Sequence, residues 1–323
     1  MKKRIIIFLF CVSHLIFLYN SPLETTADDI PIIFIHLGYA DYLAHSLWQA
    51  LQYNKNVILI SDDENNKHGL DVHYYDIAQF KHEADQFAKE YVHLCAHKRD
   101  TVPIMLSHLQ RWFVLKAFME TFNIPVCFQC DSDVMIYSNI ADEIKKFTPC
   151  DLALVSKQNN NPKKYVYPIK FSDNTVIIKK ELLQDYCKFI HWFYTDKENL
   201  NLFLDLYQKN KIQRFVGGMF LISRYMDITD AQEKFIIKNI CEIIDDTAFD
   251  SFISNSFGRQ FNINKQNLDK RYIRIIEWID NQPYCYNKAL NRMIRFNTLH
   301  FATNTKPLMA DYKKENIQTK REP

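Results

Sequence analysis

From residue 30 onward the sequence predicts an α/β fold, a sheet flanked by helices. Three observations carry that prediction. "IPIIFIHLG" (30–38) and "NVILISDD" (56–63) are apolar strands separated by a helical stretch, the order that builds a parallel sheet. A second helix, over 107–125, feeds another apolar strand, "VCFQC". A chain of 323 residues that is 47% hydrophobic can bury a sizeable core.

Each element has its own reason. Between the first strands, "DYLAHSLWQALQYN" (41–54) repeats Leu43, Leu47, Ala50 and Leu51 at helical spacing, and Asp41 can cap it. Ligands of parallel sheets bind beyond the C-terminal ends of the strands, where His36 and Asp62 fall. In 107–125, Ser107 and Gln110 form a capping box, Trp112, Leu115, Met119 and Phe122 keep helical spacing, and Asn123 and Pro125 stop the helix. Further on, "NIADEIKKF" is expected as a helix, "DLALVS" as a strand, "KQNNNPKKY" as a mobile polar loop and "KKELLQDYCKFIHWFY" as a helix. "RFVGGMFLIS" is expected as a strand, and "CEIIDDTAFDSFI" as a helix starting at its acids.

Composition excludes several classes. A net charge of +2 with interspersed lysines and acids argues against a nucleic-acid partner. Five glycines, with no GxGxxG or GxxxxGK[ST], weigh against Rossmann dehydrogenases and P-loop enzymes. Eight cysteines include one CxxC, Cys127 and Cys130. On a strand those two point to opposite faces, so buried thiols are expected there rather than a zinc or redox centre.

The N-terminus, "MKKRIIIFLFCVSHLIFLYNSP", sets three basic residues before an apolar run over 5–19. The run is shorter than the ~20 residues of a typical span. Residues 1–29 are therefore expected as a signal peptide or membrane anchor, with the N-terminus cytoplasmic. Residues 30–310 form the domain, and 311–323 a polar tail. A single-pass type II membrane protein follows, Golgi-like in a eukaryote. Secretion or the cytoplasmic membrane face are the alternatives.

"FQCDSDVMIYSN" (128–139) carries the chemistry. In an extended segment Asp131 and Asp133 project together with Ser132 opposite. Carboxylates so close repel unless a cation joins them, and hard ions such as Mn²⁺ or Mg²⁺ suit oxygen ligands. A metal there can neutralise a diphosphate leaving group.

"FQCDSDVMIYSNIADEI" resembles the D-x-D region of GT-A-fold glycosyltransferases, and in particular glycogenin-like members. "LHFATNTKPL" (299–308) resembles their H-F-x-G-x-x-K-P-W element, with Thr303 in place of the glycine and Leu308 in place of the tryptophan. The resemblance implies a Rossmann-related mixed sheet and a metal-dependent transfer from a nucleotide-sugar donor. It implies Asp131, Asp133 and His300 as metal ligands and Lys306 as a diphosphate contact. It places Arg111 against the nucleotide and Gly217 and Gly218 beside the donor sugar, where a β-bulge is the other explanation for the glycines. "IIDDTAFD" supplies Asp245, Asp246 and Asp250, one of which would meet the acceptor or act as base, Asp246 before Asp245; helix N-cap duty is the other explanation for one of them. His36, Asp62 and Ser132 complete the candidate nucleotide-sugar contacts. The stretch between the D-x-D and Gly217 is longer than in glycogenin-like enzymes, and "FSDNTVIIKKELLQDYCKFI" is expected to be an acceptor-side elaboration.

The expected activity is therefore transfer of a sugar, UDP-linked by the resemblance, to a hydroxyl of a glycan, lipid or protein. The alternative is a haloacid-dehalogenase-class phosphatase with Asp131 as nucleophile, Ser156, Lys179 or Lys180, and Asp245 and Asp246 on Mg²⁺. Against it, Met135 stands where that motif wants Thr or Val.

Overall fold

The computed structural model describes residues 30–94, 102–156, 170–209, 217–250, 253, 260–265 and 272–313. The N-terminal segment 1–29, the loop 157–165 and most of the polar tail lie outside that set. Among the described residues no helix is long and apolar enough to cross a membrane.

The fold is a mixed α/β sheet with helices on both faces. Seven strands lie in the order β3-β2-β1-β4-β7-β6-β8. They are β1 (Ile32–His36), β2 (Val57–Ser61), β3 (His73–Asp76), β4 (Val126–Cys130), β6 (Leu152–Ser156), β7 (Phe171–Lys179) and β8 (Ile237–Asn239). β7 runs antiparallel to β4 and β6, and the other neighbours pair in parallel. Strand residues alternate between two cores, as a sheet covered on both faces requires. Ile33, Ile58 and Ile60 pack under the helices Val102–Thr121, Lys180–Thr195 and Gly218–Ile228, while Ile32, Phe34, Val57 and Leu59 face the helices Leu43–Leu51 and Ile140–Lys145. Cys127 joins the first core and Cys130 the second, and burial pushes both thiols up. They are structural thiols, as strand geometry predicted.

β5 (Val134–Ile136) leaves this sheet and pairs antiparallel with β15 (Thr298–His300). A third core joins them to the smaller strands β9 (Thr247–Ala248), β12 (Glu277–Ile279), β13 (Gln282–Asn287) and β14 (Arg292–Phe296), which form a second sheet. β10 (Ile263–Lys265) and β11 (Tyr272–Arg274) make a separate ribbon.

Several local expectations are corrected. The helix foreseen at 107–125 begins at Val102, because Pro103 is tolerated in a first turn. Ser107 is inside it and donates to the Ile104 carbonyl, so no capping box forms. Its end is as expected: Asn123 takes φ 50° and the Ile124 N–H reaches back to Met119 O at 2.8 Å. Asp41 offers only its carbonyl to the 43–51 helix, with no side-chain cap. "FSDNTVIIK" is β7, a central strand, not an acceptor-side elaboration. "GMFLIS" is helical rather than a strand, since a short apolar run satisfies either period. "IIDDTA" turns instead of starting a helix. Asp245 and Asp246 hold φ of 49° and 59°, which short acidic side chains tolerate, while Ile244 and Thr247 exchange both backbone hydrogen bonds.

The β5–β15 ribbon sets a stability test. Leu299 is fully buried in the third core, whereas Leu290 is exposed. Leu299→Ala is expected to cost about 2–5 kcal/mol in urea unfolding, and Leu290→Ala less than about 0.5 kcal/mol. Equal costs would mean that the ribbon is not part of the folded core.

Candidate active site

β4 ends at Cys130 and the chain turns at once. The Val134 N–H bonds the Asp131 carbonyl at 3.1 Å, so residues 131–133 form a turn rather than the extended segment expected. The turn still brings Asp131 and Asp133 to one place. His300 arrives from the far end of the sequence, since its register partner in the β5–β15 ribbon is Val134. Its Nε2 lies 3.1 Å from Asp133 Oδ1. One oxygen from each of Asp131 and Asp133 and one nitrogen of His300 lie within 4.8 Å of one another.

Two cations flank this triad. Lys306 Nζ lies 3.3 Å from Asp133 Oδ2, 3.0 Å from the Tyr42 hydroxyl and 4.2 Å above the Tyr42 ring. Arg111 Nη1 donates to Asp131 Oδ1 at 2.6 Å, and Nη2 reaches the Asp173 carboxylate at 2.5 Å. Burial disfavours every one of these charges, and their pairing decides the outcome. For Asp133, burial is outweighed by His300 and Lys306, which hold it below the usual carboxylate range. For Asp131, burial wins: with help from the Asp133 charge it raises the carboxyl against the pull of Arg111. Arg111 stays charged because Asp173 and Asp131 overcome its desolvation. His36 is lowered by burial and by Lys306, against the opposing pull of Asp62 and Asp133.

The triad sits on a cavity of about 820 Å³, within the size range of small-molecule sites. His36, Asp62, Arg111, Asp131, Ser132, Asp133, Gly218, His300 and Lys306 all line it. His36 and Asp62 close β1 and β2, and Asp62 Oδ1 accepts the Gly38 N–H at 2.7 Å. The Ser132 hydroxyl is 3.2 Å from Tyr42 Oη, and its carbonyl takes the Ser46 hydroxyl at 2.7 Å. Gly217 caps the Gly218–Ile228 helix and is buried, but it does not line the cavity. Asp245 and Asp246 do not line it either: they form the hairpin turn above, where Asp246 bonds the half-exposed Arg292 at 2.7 Å.

Sequence reasoning missed Ser172, Asp173 and Asn174, which also line the cavity. β7 runs antiparallel, so its first residues, not its last, meet the end of β4. The Asp131 N–H bonds the Asn174 carbonyl at 2.8 Å. The Asn174 amide lies 2.5 Å from His300 Nδ1. The available signal was a run of four polar residues, 172–175, set directly before buried Val176, Ile177 and Ile178.

The donor set fits a hard divalent cation. Two carboxylates and an imidazole converge, the donor types that Mn²⁺ accepts. Each carboxylate has more lone pairs than its cation partner uses. The phosphatase alternative finds no support. Lys179 pairs with Val126 at the opposite end of β4 and bonds Asp151, and Lys180 bonds Asn123. Neither reaches Asp131.

Thr303 takes φ 56°, left-handed for a β-branched residue, and it lines the cavity.

No family model matches the chain, and no curated protein matches it. Among solved structures it is similar to mouse xyloside xylosyltransferase 1 in its apo form, with 13% identity, a TM-score of 0.42, and coverage of 65% of this chain and 84% of that one. It is also similar to an active-site mutant of LgtC, at 11% identity, TM-score 0.37, and coverage of 60% and 69%. A glycosyltransferase involved in glycosylation of the major capsid of PBCV-1 aligns at 12% identity, TM-score 0.29, and coverage of 58% and 81%. With TM-scores below 0.5, the functional reading rests on the geometry of the site itself.

Gly218 gives this geometry a direct test. A Cβ there would stand 2.2 Å from Asp173 Oδ2. Gly218→Ala should cost about 1–3 kcal/mol by overpacking. In an Asp173→Ala background the same substitution should cost little. Equal costs in both backgrounds would show that the two residues do not meet.

Proposed function

We propose that the chain is a metal-dependent glycosyltransferase. It takes a nucleoside-diphosphate sugar, UDP-linked in this reading, and transfers the sugar to a hydroxyl of a glycan, lipid or protein. One observation carries the proposal: Asp131, Asp133 and His300 converge on a single cavity that also holds Lys306 and Arg111. That is a cation site beside an anion site, which a diphosphate requires.

Asp131, Asp133 and His300 would hold Mn²⁺ or Mg²⁺. When bound, the metal supplies charge that stabilises the departing diphosphate. Lys306 has an ammonium poised at the cavity wall, and a diphosphate oxygen would draw it from Asp133. Arg111 holds Asp131 and Asp173 in place and offsets part of their charge. His36, Asp62 and Ser132 are positioned to meet the nucleotide. Gly218 lets Asp173 sit close to the helix start, so Asp173 is the carboxylate we place nearest the sugar. Asp245 and Asp246, outside the cavity lining, are poorer candidates for a base. We assign residues 1–29 to a signal or anchor segment that brings the domain to a membrane, on the sequence alone.

Calorimetric titration with UDP, with and without Mn²⁺, tests the reading. Asp131→Asn and Asp133→Asn should each abolish Mn²⁺-dependent UDP binding while leaving the circular dichroism spectrum unchanged. Lys306→Ala should weaken UDP by about 10- to 100-fold, the loss of one charge-assisted hydrogen bond, and leave Mn²⁺ affinity close to that of the parent. UDP binding that is equally tight in a chelator would contradict the metal site. A screen of nucleotide sugars for slow hydrolysis then identifies the donor.

A further inference from the structure

His300 is held from behind by charged groups that never reach the cavity. In the β5–β15 ribbon the Phe301 N–H bonds the Asp133 carbonyl at 2.9 Å. The His300 N–H, one residue earlier, therefore points away from β5. A buried N–H needs an acceptor, and Asp250 Oδ2 provides it at 3.1 Å. Asp250 is 0% exposed, and its other oxygen takes the guanidinium of Arg274, itself 5% exposed. The guanidinium rests against the rings of both Phe261 and Phe296, at 5.0 and 4.9 Å from their centres.

The backbone closes this arrangement into a circuit. The His300 carbonyl accepts the Ile253 N–H at 2.9 Å, and the Ile253 carbonyl accepts the Arg274 N–H at 3.0 Å. The Thr298 hydroxyl accepts the Asp250 N–H at 3.1 Å. Neither Asp250 nor Arg274 lines the cavity. A buried ion pair is a poor device for stability alone, because well-packed apolar residues often serve as well or better. What this pair supplies, and an apolar pair could not, is a fixed acceptor aimed at one backbone N–H.

We propose that the Asp250–Arg274 pair is a positioning device for His300, setting where its imidazole stands relative to Asp131 and Asp133. The inference rests on the metal site proposed above. Removing the partner of a metal-binding histidine's ring typically costs about 10- to 100-fold in affinity; Asp250 holds the backbone N–H of His300 rather than the ring, so a smaller loss is expected.

The test uses the full chain and two readouts. One is Mn²⁺ affinity, from the electron paramagnetic resonance of free Mn²⁺. The other is the imidazole ¹H–¹⁵N signal of His300 in metal-free protein, assigned by its loss in His300→Gln. The double variant Asp250→Leu/Arg274→Leu removes both charges together and so strands neither. It should fold, bind Mn²⁺ more weakly, by no more than the about 10-fold lower end seen for ring partners, and show a shifted or broadened His300 signal. Parental Mn²⁺ affinity with an unchanged His300 signal would overturn the proposal. If the parent itself binds no Mn²⁺, the proposed function fails, and the His300 signal alone decides whether the pair positions the ring. If the double variant does not fold, Thr298→Val replaces it. That change loosens Asp250 only, and should shift both readouts in the same direction by less. Parental values for Thr298→Val would then overturn the proposal.

Discussion

The site depends on the three-residue pairing of β5 with β15. Asp133 belongs to a turn that ends a strand of the main sheet, and His300 lies more than 160 residues later. No local preference brings them together. The antiparallel register Val134↔His300 does, and the bond from the Phe301 N–H to the Asp133 carbonyl fixes it at the site itself. A slip of one residue would turn His300 to the opposite face and put Leu299 in its place. Burial guards against that slip. Met135 and Leu299 pack in the third core, and the slip would carry the His300 imidazole into that apolar core, burying a polar group away from its partners.

The ribbon is anchored from outside as well. Glu143, on the helix that follows β5, is buried and takes Arg295 at 2.7 Å, Asn297 at 2.9 Å and Lys146 at 2.7 Å. Arg295 and Asn297 come from β14 and the link into β15. The same charge economy rules the cavity. Asp131, Asp133 and Asp173 crowd one wall, and Arg111, Lys306 and His300 are set between them. Such a wall is held together by internal pairing when nothing else is bound. Under the proposed function, Lys306 would exchange its Asp133 contact for a phosphate contact.

The sequence made much of this legible because the signals were periodic or local. The strands at 32–36 and 57–61 show as apolar runs, and the Asn123 stop and the split of Cys127 and Cys130 between two faces follow from backbone geometry alone. The cavity residues at strand ends followed from the rule for parallel sheets. That rule also explains the largest omission. β7 is reversed, so its Asp173 and Asn174 reach the crevice from the start of a strand, and strand direction leaves no mark on composition. Asp245 and Asp246 misled for another reason: paired acids before an apolar stretch suit a helix N-terminus and a tight turn equally well, and only the tertiary pairing of Thr247 with Arg295 selects the turn. Asp250 stood out only as one acid among three, and the positioning role proposed for it was not legible because a buried ion pair depends on partners brought in by the fold.

The central claim is that Asp131, Asp133 and His300 form one metal centre serving a diphosphate. Anomalous diffraction from crystals grown with Mn²⁺ and UDP tests it most directly. The account predicts one manganese peak with a carboxylate oxygen of Asp131, one of Asp133 and Nε2 of His300 within about 2.0–2.6 Å. It also predicts that the Lys306 ammonium has left Asp133 for a phosphate oxygen. UDP bound in the cavity with no manganese peak there, or with the peak away from His300, would contradict it.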